Sequence, residues 1–201
     1  MSRPRIFQIA ALLAAALLAV TGCEAGAGEE PGSGEFSFVA PGGDTDIRYP
    51  VEERQEMPPL TGEDLFDEDI EISTADFAGE VVVINIWGQW CGPCRREAPV
   101  MQRIHEEYAD RGVQVLGIDV RDPSRQPPQD FKRDRNLEYP SIYDPPGRSL
   151  LALSGYPRNI VPSTIIVDAE QRVAAVFLRE LFYEDLQPEV RRLLEETSER
   201  T

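Results

Sequence analysis

The hydrophobic pattern divides the chain into three parts. Residues 6–20 are almost wholly apolar, residues 24–58 show no apolar periodicity, and from about residue 59 onward short apolar runs alternate with polar segments. The β-branched run Val81–Trp87 predicts a strand that is buried on both faces. The third part therefore has the pattern of a folded domain, predicted to span residues 59–201.

Strand and helix signals alternate along this domain. Val100, Ile104 and Tyr108 recur every four residues, which predicts the buried stripe of a helix from Cys91 to about Asp110. The order of elements indicates an α/β fold with a central mixed sheet flanked by helices. Further strands are predicted at 69–72, 113–120, 141–143, 163–167 and 173–177, and helices or helical turns at 73–77, 128–136, 148–153 and 183–196.

The first 22 residues have the pattern of an export signal. Arg3 and Arg5 precede an apolar run of about 15 residues, which suits a signal peptide and is short for a membrane span. The following Val20-Thr21-Gly22-Cys23 resembles the lipobox of bacterial lipoproteins. This resemblance implies lipid on Cys23 and a location at the extracytoplasmic face of the cell membrane.

Two other outcomes for the leader stay open. Ala25-Gly26-Ala27 fits an ordinary cleavage site, and cleavage after Ala27 would release a secreted protein. A retained membrane anchor is disfavoured by the length of the apolar run. Residues 23–58, rich in glycine and proline, are predicted to form a flexible tether that starts at Cys23. The alternative is that Phe36–Val39 packs on the domain as an N-terminal strand.

Charge and composition exclude several classes of function. The chain is 41% hydrophobic and 28% charged, as expected for a globular protein. Its net charge of −16 argues against nucleic-acid binding and against electrostatic binding to anionic lipid. With 3 cysteines and 1 histidine, the chain has few ligands for a dedicated zinc or copper site. We therefore expect neither a metal nor an organic cofactor.

The candidate chemistry lies at Cys91-Gly92-Pro93-Cys94. A C-x-x-C motif between a buried strand and a helix is typical of redox sites. The helix N-terminus stabilises a thiolate, so the pKa of Cys91 is expected below its ordinary value of about 8.5. Cys91 is the predicted attacking thiol and Cys94 the resolving thiol. Half of a zinc site and an inert structural disulfide are the alternatives.

Three runs resemble the thioredoxin fold, and specifically the TlpA/ResA-like family of membrane-anchored thiol–disulfide oxidoreductases. They are VVVINIWGQWCGPCRREAP at 81–99, VQVLGIDV at 113–120 and VPSTIIVD at 161–168. The resemblance implies an extra helix and strand inserted in the fold, and a cis bond before Pro162 that faces the cysteines. It also implies that the Val161 backbone pairs with bound substrate, beside Trp90, Gly92 and Pro93.

Two positions indicate the subfamily. Cytoplasmic-type thioredoxins carry an aspartate six residues before the first cysteine, where this chain has Asn85. TlpA/ResA-like proteins carry a glutamate three residues after the second cysteine, and Glu97 occupies that place. A carboxylate on the face of Cys94 is suited to accept and return protons during exchange. The alternative is a solvated surface glutamate.

These observations predict an extracytoplasmic, monomeric thiol–disulfide oxidoreductase. The Gly92-Pro93 pair matches reducing thioredoxins, so we favour a reductant of protein disulfides that is recharged by a membrane or extracytoplasmic electron donor. The family implies apocytochrome c, in cytochrome c maturation, as a substrate. A disulfide-forming oxidant and a non-enzymatic lipoprotein binding module are the alternatives. A thiol peroxidase is disfavoured because Gly88 lies where such an enzyme needs threonine or serine.

Overall fold

The computed structural model describes residues 36–200. The predicted signal peptide, the lipobox cysteine Cys23 and the first part of the predicted tether lie outside these residues. The strands are β1 Asp46–Arg48, β2 Thr61–Glu63, β3 Glu71–Ser73, β4 Val81–Trp87, β5 Val113–Asp119, β6 Ser141–Tyr143, β7 Ser163–Val167 and β8 Val173–Phe177. The helices are α1 Gly92–Tyr108, α2 Gln126–Asp134 and α3 Tyr183–Ser198.

Six strands form one mixed sheet in the order β1-β8-β7-β4-β5-β6. The central strand β4 runs parallel to β5 and antiparallel to β7, and all seven of its residues are buried. The α2 helix and β6 lie between β5 and β7 in the chain, and β6 adds a parallel strand outside β5. The predicted mixed sheet and the extra helix and strand are thereby confirmed.

The sheet is buried on both faces by different parts of the chain. Helices α1 and α3 cover one face, where Met101 and Ile104 of α1 pack with Leu186 and Val190 of α3. The other face is covered by residues from the N-terminal segment and from the turn at Ser149–Ala152 with its C-cap residue, namely Phe36, Phe38, Met57, Leu60, Leu150 and Leu153. Burial on both faces explains the continuous apolar run of β4.

The described part of the predicted tether is packed on the domain. Phe36 is 1% exposed and Phe38 is 8% exposed. The β1 strand pairs antiparallel with β8, so that Ile47 lies opposite Val176. The prediction of a flexible tether is therefore wrong for residues 36–58, and the domain begins before residue 59. Short turns separate the apolar anchors of this segment, so they show no periodicity in the sequence.

The alternative of an N-terminal strand at Phe36–Val39 is correct in its packing and wrong in its secondary structure. Ser37 forms only an isolated bridge with Ser154, while the Phe38 N–H donates to the Ser154 carbonyl at 2.8 Å. The strand of this segment that joins the sheet is β1, further along the chain. Within residues 36–200, none of the helices combines the length and the hydropathy needed to cross a bilayer.

Candidate functional site

Cys91 and Cys94 lie at the N-terminus of α1 and are joined by a disulfide. Their Cα atoms are 5.3 Å apart. Cys91 is the N-cap residue of α1, and its sulfur accepts the Cys94 N–H at 3.2 Å. Because this N–H is one of the free donors at the helix end, it also suits a thiolate at Cys91. The site therefore has the geometry of a cysteine pair that can alternate between a disulfide and a dithiol.

The loop between β4 and α1 is tightly built around a glycine. The Cys91 N–H donates to the Gly88 carbonyl at 3.1 Å. A Cβ atom on Gly88 would lie 2.3 Å from the indole nitrogen of Trp90 and 2.8 Å from the Val120 carbonyl oxygen. Any side chain at position 88 would therefore displace Trp90 and the backbone at Val120, directly after β5. This close approach fixes the loop that delivers Cys91 to the helix end.

The loop before β7 lies directly against the disulfide. The Val161–Pro162 peptide bond is cis, as the family resemblance implies. The sulfur of Cys91 lies 3.8 Å from the Val161 carbonyl oxygen. Val161 is only partly buried, while Pro162 is buried. The structure thus brings Val161 and Pro162, distant in sequence, to the predicted substrate face of Cys91.

Both sulfur-bearing residues are nearly inaccessible in this oxidised form. Cys91 is 3% exposed and Cys94 is 1% exposed, whereas Trp90 beside them is 45% exposed. Gly92 and Pro93 are partly buried. The Trp90 indole N–H donates to the Val120 carbonyl at 2.8 Å, which holds the ring across the loop. A partner would therefore meet Trp90, Gly92 and Pro93 at the surface before it reached a sulfur.

Glu97 is buried beneath this site. It is 1% exposed, and its two carboxylate oxygens accept the Asn85 side-chain N–H at 2.8 Å and the Leu181 backbone N–H at 3.0 Å. Burial raises the pKa of Glu97 to about 7, and these two hydrogen bonds oppose the rise. The alternative of a solvated surface glutamate is therefore wrong. A carboxyl group with this pKa is suited to hold or release a proton near neutral pH.

A second group of buried polar residues, Asp119, Asp122 and Lys132, lies near the loop between β4 and α1. The sequence pattern did not predict this group. Asp122 accepts the Gln89 backbone N–H at 2.7 Å and so holds this loop. Burial raises the pKa of Asp119 to about 9 and lowers that of Lys132 to about 7. Lys132 donates to the Tyr139 carbonyl and to the Ser141 hydroxyl. The position of both aspartates at the carboxyl end of β5, beside that of β4, is the signal that would have indicated them.

Potential metal ligands are not grouped together in the described part of the chain. Within residues 36–200, no group of three or more histidine, cysteine, aspartate or glutamate residues is arranged to hold a metal ion. The two sulfurs are bonded to each other, which disfavours the alternative of half a zinc site. The described chemistry is that of the disulfide and of the carboxyl group beneath it.

Comparison with known proteins agrees with this chemistry. The model of the AhpC/TSA family matches residues 54–176. The thiol-disulfide oxidoreductase ResA of Bacillus cereus is 28% identical over 141 residues, which cover 70% of this chain and 78% of that protein. ResA of Geobacillus thermodenitrificans is 30% identical over 111 residues, 55% of this chain and 62% of that protein.

Solved structures give closer matches. A secreted thiol-disulfide isomerase from Corynebacterium glutamicum is 44% identical, with a TM-score of 0.77, and the match covers 80% of this chain and 98% of that chain. A DsbF homologue from Corynebacterium diphtheriae is also 44% identical, with a TM-score of 0.75 and coverage of 80% and 100%. Residues 59–201 alone make up less than 80% of this chain. The similarity to these two structures therefore extends into the N-terminal segment before residue 59.

Proposed function

The chain belongs to the AhpC/TSA family and is a thiol–disulfide oxidoreductase of the TlpA/ResA-like group, and from this premise we propose that it is an extracytoplasmic reductant of protein disulfides. The observation that carries the proposal is the Cys91–Cys94 pair at the N-terminus of α1, facing the Val161–Pro162 loop. The similarity to a protein described as a secreted thiol-disulfide isomerase supports action outside the cytoplasm.

The reaction begins with the reduced pair. The Cys91 thiolate attacks one sulfur of the partner's disulfide, which forms a mixed disulfide and releases the partner's other sulfur as a thiolate. The Cys94 thiolate then attacks the Cys91 sulfur and releases the second partner thiolate, which closes the Cys91–Cys94 bond. Two electrons and two protons pass to the partner. A membrane or extracytoplasmic electron donor must then return two electrons and two protons to the pair.

Glu97 is the proposed proton carrier in this exchange. Cys94 must lose its proton before it attacks the mixed disulfide, and Glu97 lies one helical turn after it on the same face of α1. The raised pKa of Glu97, about 7, lets it accept this proton near neutral pH. The proposed contact surface for the partner consists of Trp90, Gly92, Pro93, Val161 and Pro162.

The direction of electron flow decides between the reductant and the oxidant. We propose to equilibrate the chain with glutathione buffers and to follow thiol trapping and tryptophan fluorescence. A potential near the thioredoxin value of about −270 mV supports the reductant, and one near about −120 mV makes the protein an oxidant. The Cys91→Ser/Cys94→Ser variant tests the binding-module alternative, because a binding module would keep its function without the thiols.

The thiol peroxidase alternative is disfavoured on two grounds. Gly88 lacks the hydroxyl that such an enzyme needs at this position. The close approach of Trp90 and Val120 also leaves no room for a threonine there. Consumption of hydrogen peroxide by the reduced chain, measured against the Cys91→Ser variant, checks this point. We expect no rate above that of the variant.

The proposed biological setting is cytochrome c maturation at the outer face of the cell membrane, with Cys23 carrying the lipid. Reduction of apocytochrome c cysteines before haem attachment is the substrate role that the family resemblance implies. Membrane fractionation of cells that express wild type or Cys23→Ser tests the anchor. We expect the wild-type chain with the membrane and the variant released from it. Equal release of both would favour cleavage after Ala27.

A further inference from the structure

Within residues 36–200, six arginines form no ion pair with a carboxylate, and four of these six belong to segments around the disulfide, the other two being Arg111 and Arg148. Among residues 36–200, most arginines form ion pairs, including those on the outer faces of α1 and α3. No such pair within this range involves Arg95, Arg121, Arg135 or Arg158, and all four are exposed. In a chain with net charge −16, unpaired guanidinium groups beside the active site form a local positive surface.

Two of these arginines lie on the α1–α2 side of the site. Arg95 directly follows Cys94 in the first turn of α1, and Arg135 is the C-cap residue of α2. Together with Gly92 they line an open cleft of about 490 Å³. Since Gly92 lies between the two cysteines, this cleft begins at the disulfide itself. A partner segment that leaves the reacting sulfur in this direction would meet both guanidinium groups.

The other two lie on the side of Trp90 and the Val161–Pro162 loop. The Arg121 guanidinium is 5.4 Å from the centre of the Trp90 ring and donates to the Arg158 carbonyl at 3.2 Å. Arg121 has a φ of 62°, a left-handed conformation that is uncommon for residues other than glycine. Its backbone N–H donates to the Pro145 carbonyl at 3.0 Å, which holds this conformation in place.

The carboxylates near these arginines do not cancel the positive charge of the cleft that Gly92, Arg95 and Arg135 line. Arg96, which also lines it, is neutralised by Glu180 through contacts of 2.9 and 2.6 Å. Asp130 and Asp134 lie in a neighbouring cleft of about 580 Å³ that shares Arg95 and Arg135. The charge on the α1–α2 side is therefore mixed away from the disulfide and positive next to it.

We propose that this surface, made of Arg95, Arg121, Arg135 and Arg158, selects partner disulfides that are flanked by acidic residues. The inference rests on the proposed function and names its substrate class. Because the rest of the chain is acidic, a cationic partner would be attracted to many places on the surface. An acidic segment is repelled by the net charge of the chain and attracted at this surface, which both orients the segment and speeds encounter.

The test uses three disulfide-bonded peptides that differ only in the residues flanking their cysteines, which are glutamate, glutamine or lysine. The reduced full chain is mixed with each peptide in a single turnover, so that no electron donor is needed. At low ionic strength, we expect the glutamate peptide to react about tenfold faster than the glutamine peptide, and the lysine peptide to react more slowly. The advantage should fall towards one at about 0.5 M salt.

Variants locate the effect on the surface. The quadruple change Arg95→Gln, Arg121→Gln, Arg135→Gln and Arg158→Gln should bring the glutamate-to-glutamine rate ratio close to one. The control is Arg111→Gln/Arg191→Gln, which removes charge beside a separate cleft at the other end of α1. We expect the control to keep most of the wild-type ratio. Because each ratio compares two peptides on the same variant, partial loss of folded protein does not change it.

The outcomes separate this inference from the function on which it rests. If wild type reduces all three peptides at equal rates, the selection of acidic partners is wrong and the reductant stands. If the control lowers the ratio as much as the quadruple variant does, general charge and not this surface is responsible. If wild type reduces none of the peptides while remaining able to be reduced and reoxidised, both proposals are overturned.

Discussion

Glu97 links the protonation chemistry of the site to the stability of the fold. Its carboxyl group is buried and receives two N–H donors, yet burial prevails and the pKa rises to about 7. In the unfolded chain the pKa is near its ordinary value of 4.5. Between these values the folded state binds the Glu97 proton more tightly, so the contribution of Glu97 to stability is greatest at low pH within this range and is lost as pH rises through 7.

The first prediction concerns this pH dependence. Between pH 5 and pH 8, wild type should lose on the order of 3 kcal/mol more unfolding free energy than Glu97→Gln does, because Asp119 and Lys132 titrate in both chains and only Glu97 differs. Urea unfolding at both pH values measures the two slopes. The exposed Glu184, changed to Gln, serves as the control and should keep the wild-type slope. Parallel slopes for wild type and Glu97→Gln would show that the carboxyl group is not responsible.

The second prediction concerns Asn85, whose neutral amide donates to Glu97 at 2.8 Å. Asn85→Asp would place two carboxyl groups in one buried site, and we expect a loss of about 2–4 kcal/mol at pH 8. The exchanged pair Asn85→Asp/Glu97→Gln restores one acid and one amide and should recover part of this loss. Urea unfolding of wild type and the three variants decides it. A double variant no more stable than Asn85→Asp would contradict the pairing.

At the scale of elements, the sequence pattern predicts the strands whose buried residues form one contiguous apolar run. The strands β6, β7 and β8 have the predicted bounds, because their apolar runs are short and end at turns. The β2 strand was not predicted, since its residues are mostly exposed. It is held by pairing with β3 and by the close packing of Gly62 on Ile142, and neither contact leaves a local pattern.

The site shows the same division. The pattern around Cys91 and Cys94 predicts their place at the start of a helix, because the motif and its flanks are contiguous. The burial of Glu97 depends on Leu181, which arrives from the loop before α3. The Asp122 contact that holds Gln89 likewise joins two loops that follow different strands. Contacts between segments far apart in the chain were not predictable from local spacing.

The third prediction tests the packed N-terminal segment. Phe36→Ala should destabilise the domain by about 3–5 kcal/mol, because Phe36 is fully buried and its loss leaves a cavity. Val39→Ala is the matched control, since Val39 is 64% exposed, and it should change stability by less than about 0.5 kcal/mol. Thermal and urea unfolding compare the two. Equal effects would show that the segment does not contribute to the core.

At the scale of the whole molecule, Arg54 connects three distant segments. Its side chain is 1% exposed and forms ion pairs with Asp168 at 3.1 Å and with Glu196 of α3 at 2.7 Å. It also donates to the Tyr49 carbonyl at 3.1 Å. The N-terminal segment, the turn between β7 and β8, and the last helix therefore share one buried guanidinium group.

The fourth prediction follows from this connection. Arg54→Met should cost about 1–3 kcal/mol, because Asp168 and Glu196 keep their contacts with Arg172 and Arg192 but lose buried hydrogen bonds. Arg133→Met, at an exposed pair 3.4 Å long, should have little effect. Urea unfolding followed by fluorescence and by circular dichroism measures both. A cost for Arg133→Met equal to that for Arg54→Met would contradict the argument.

The pairing of β1 with β8 has a consequence for how the chain is made. Synthesis proceeds from the N-terminus, so β1 emerges long before β8 and has no partner in the sheet until most of the domain has followed. The same holds for Arg54 and its partners in the β7–β8 turn and on α3. The pairing with β1 thus covers β8, and the three-residue β1 becomes the edge of the sheet in place of the five-residue β8. A shorter edge strand offers fewer unpaired backbone groups to a strand from another chain. A nascent chain interrupted before β8 would leave β1 without a strand partner, whereas in the complete chain β1 pairs with β8.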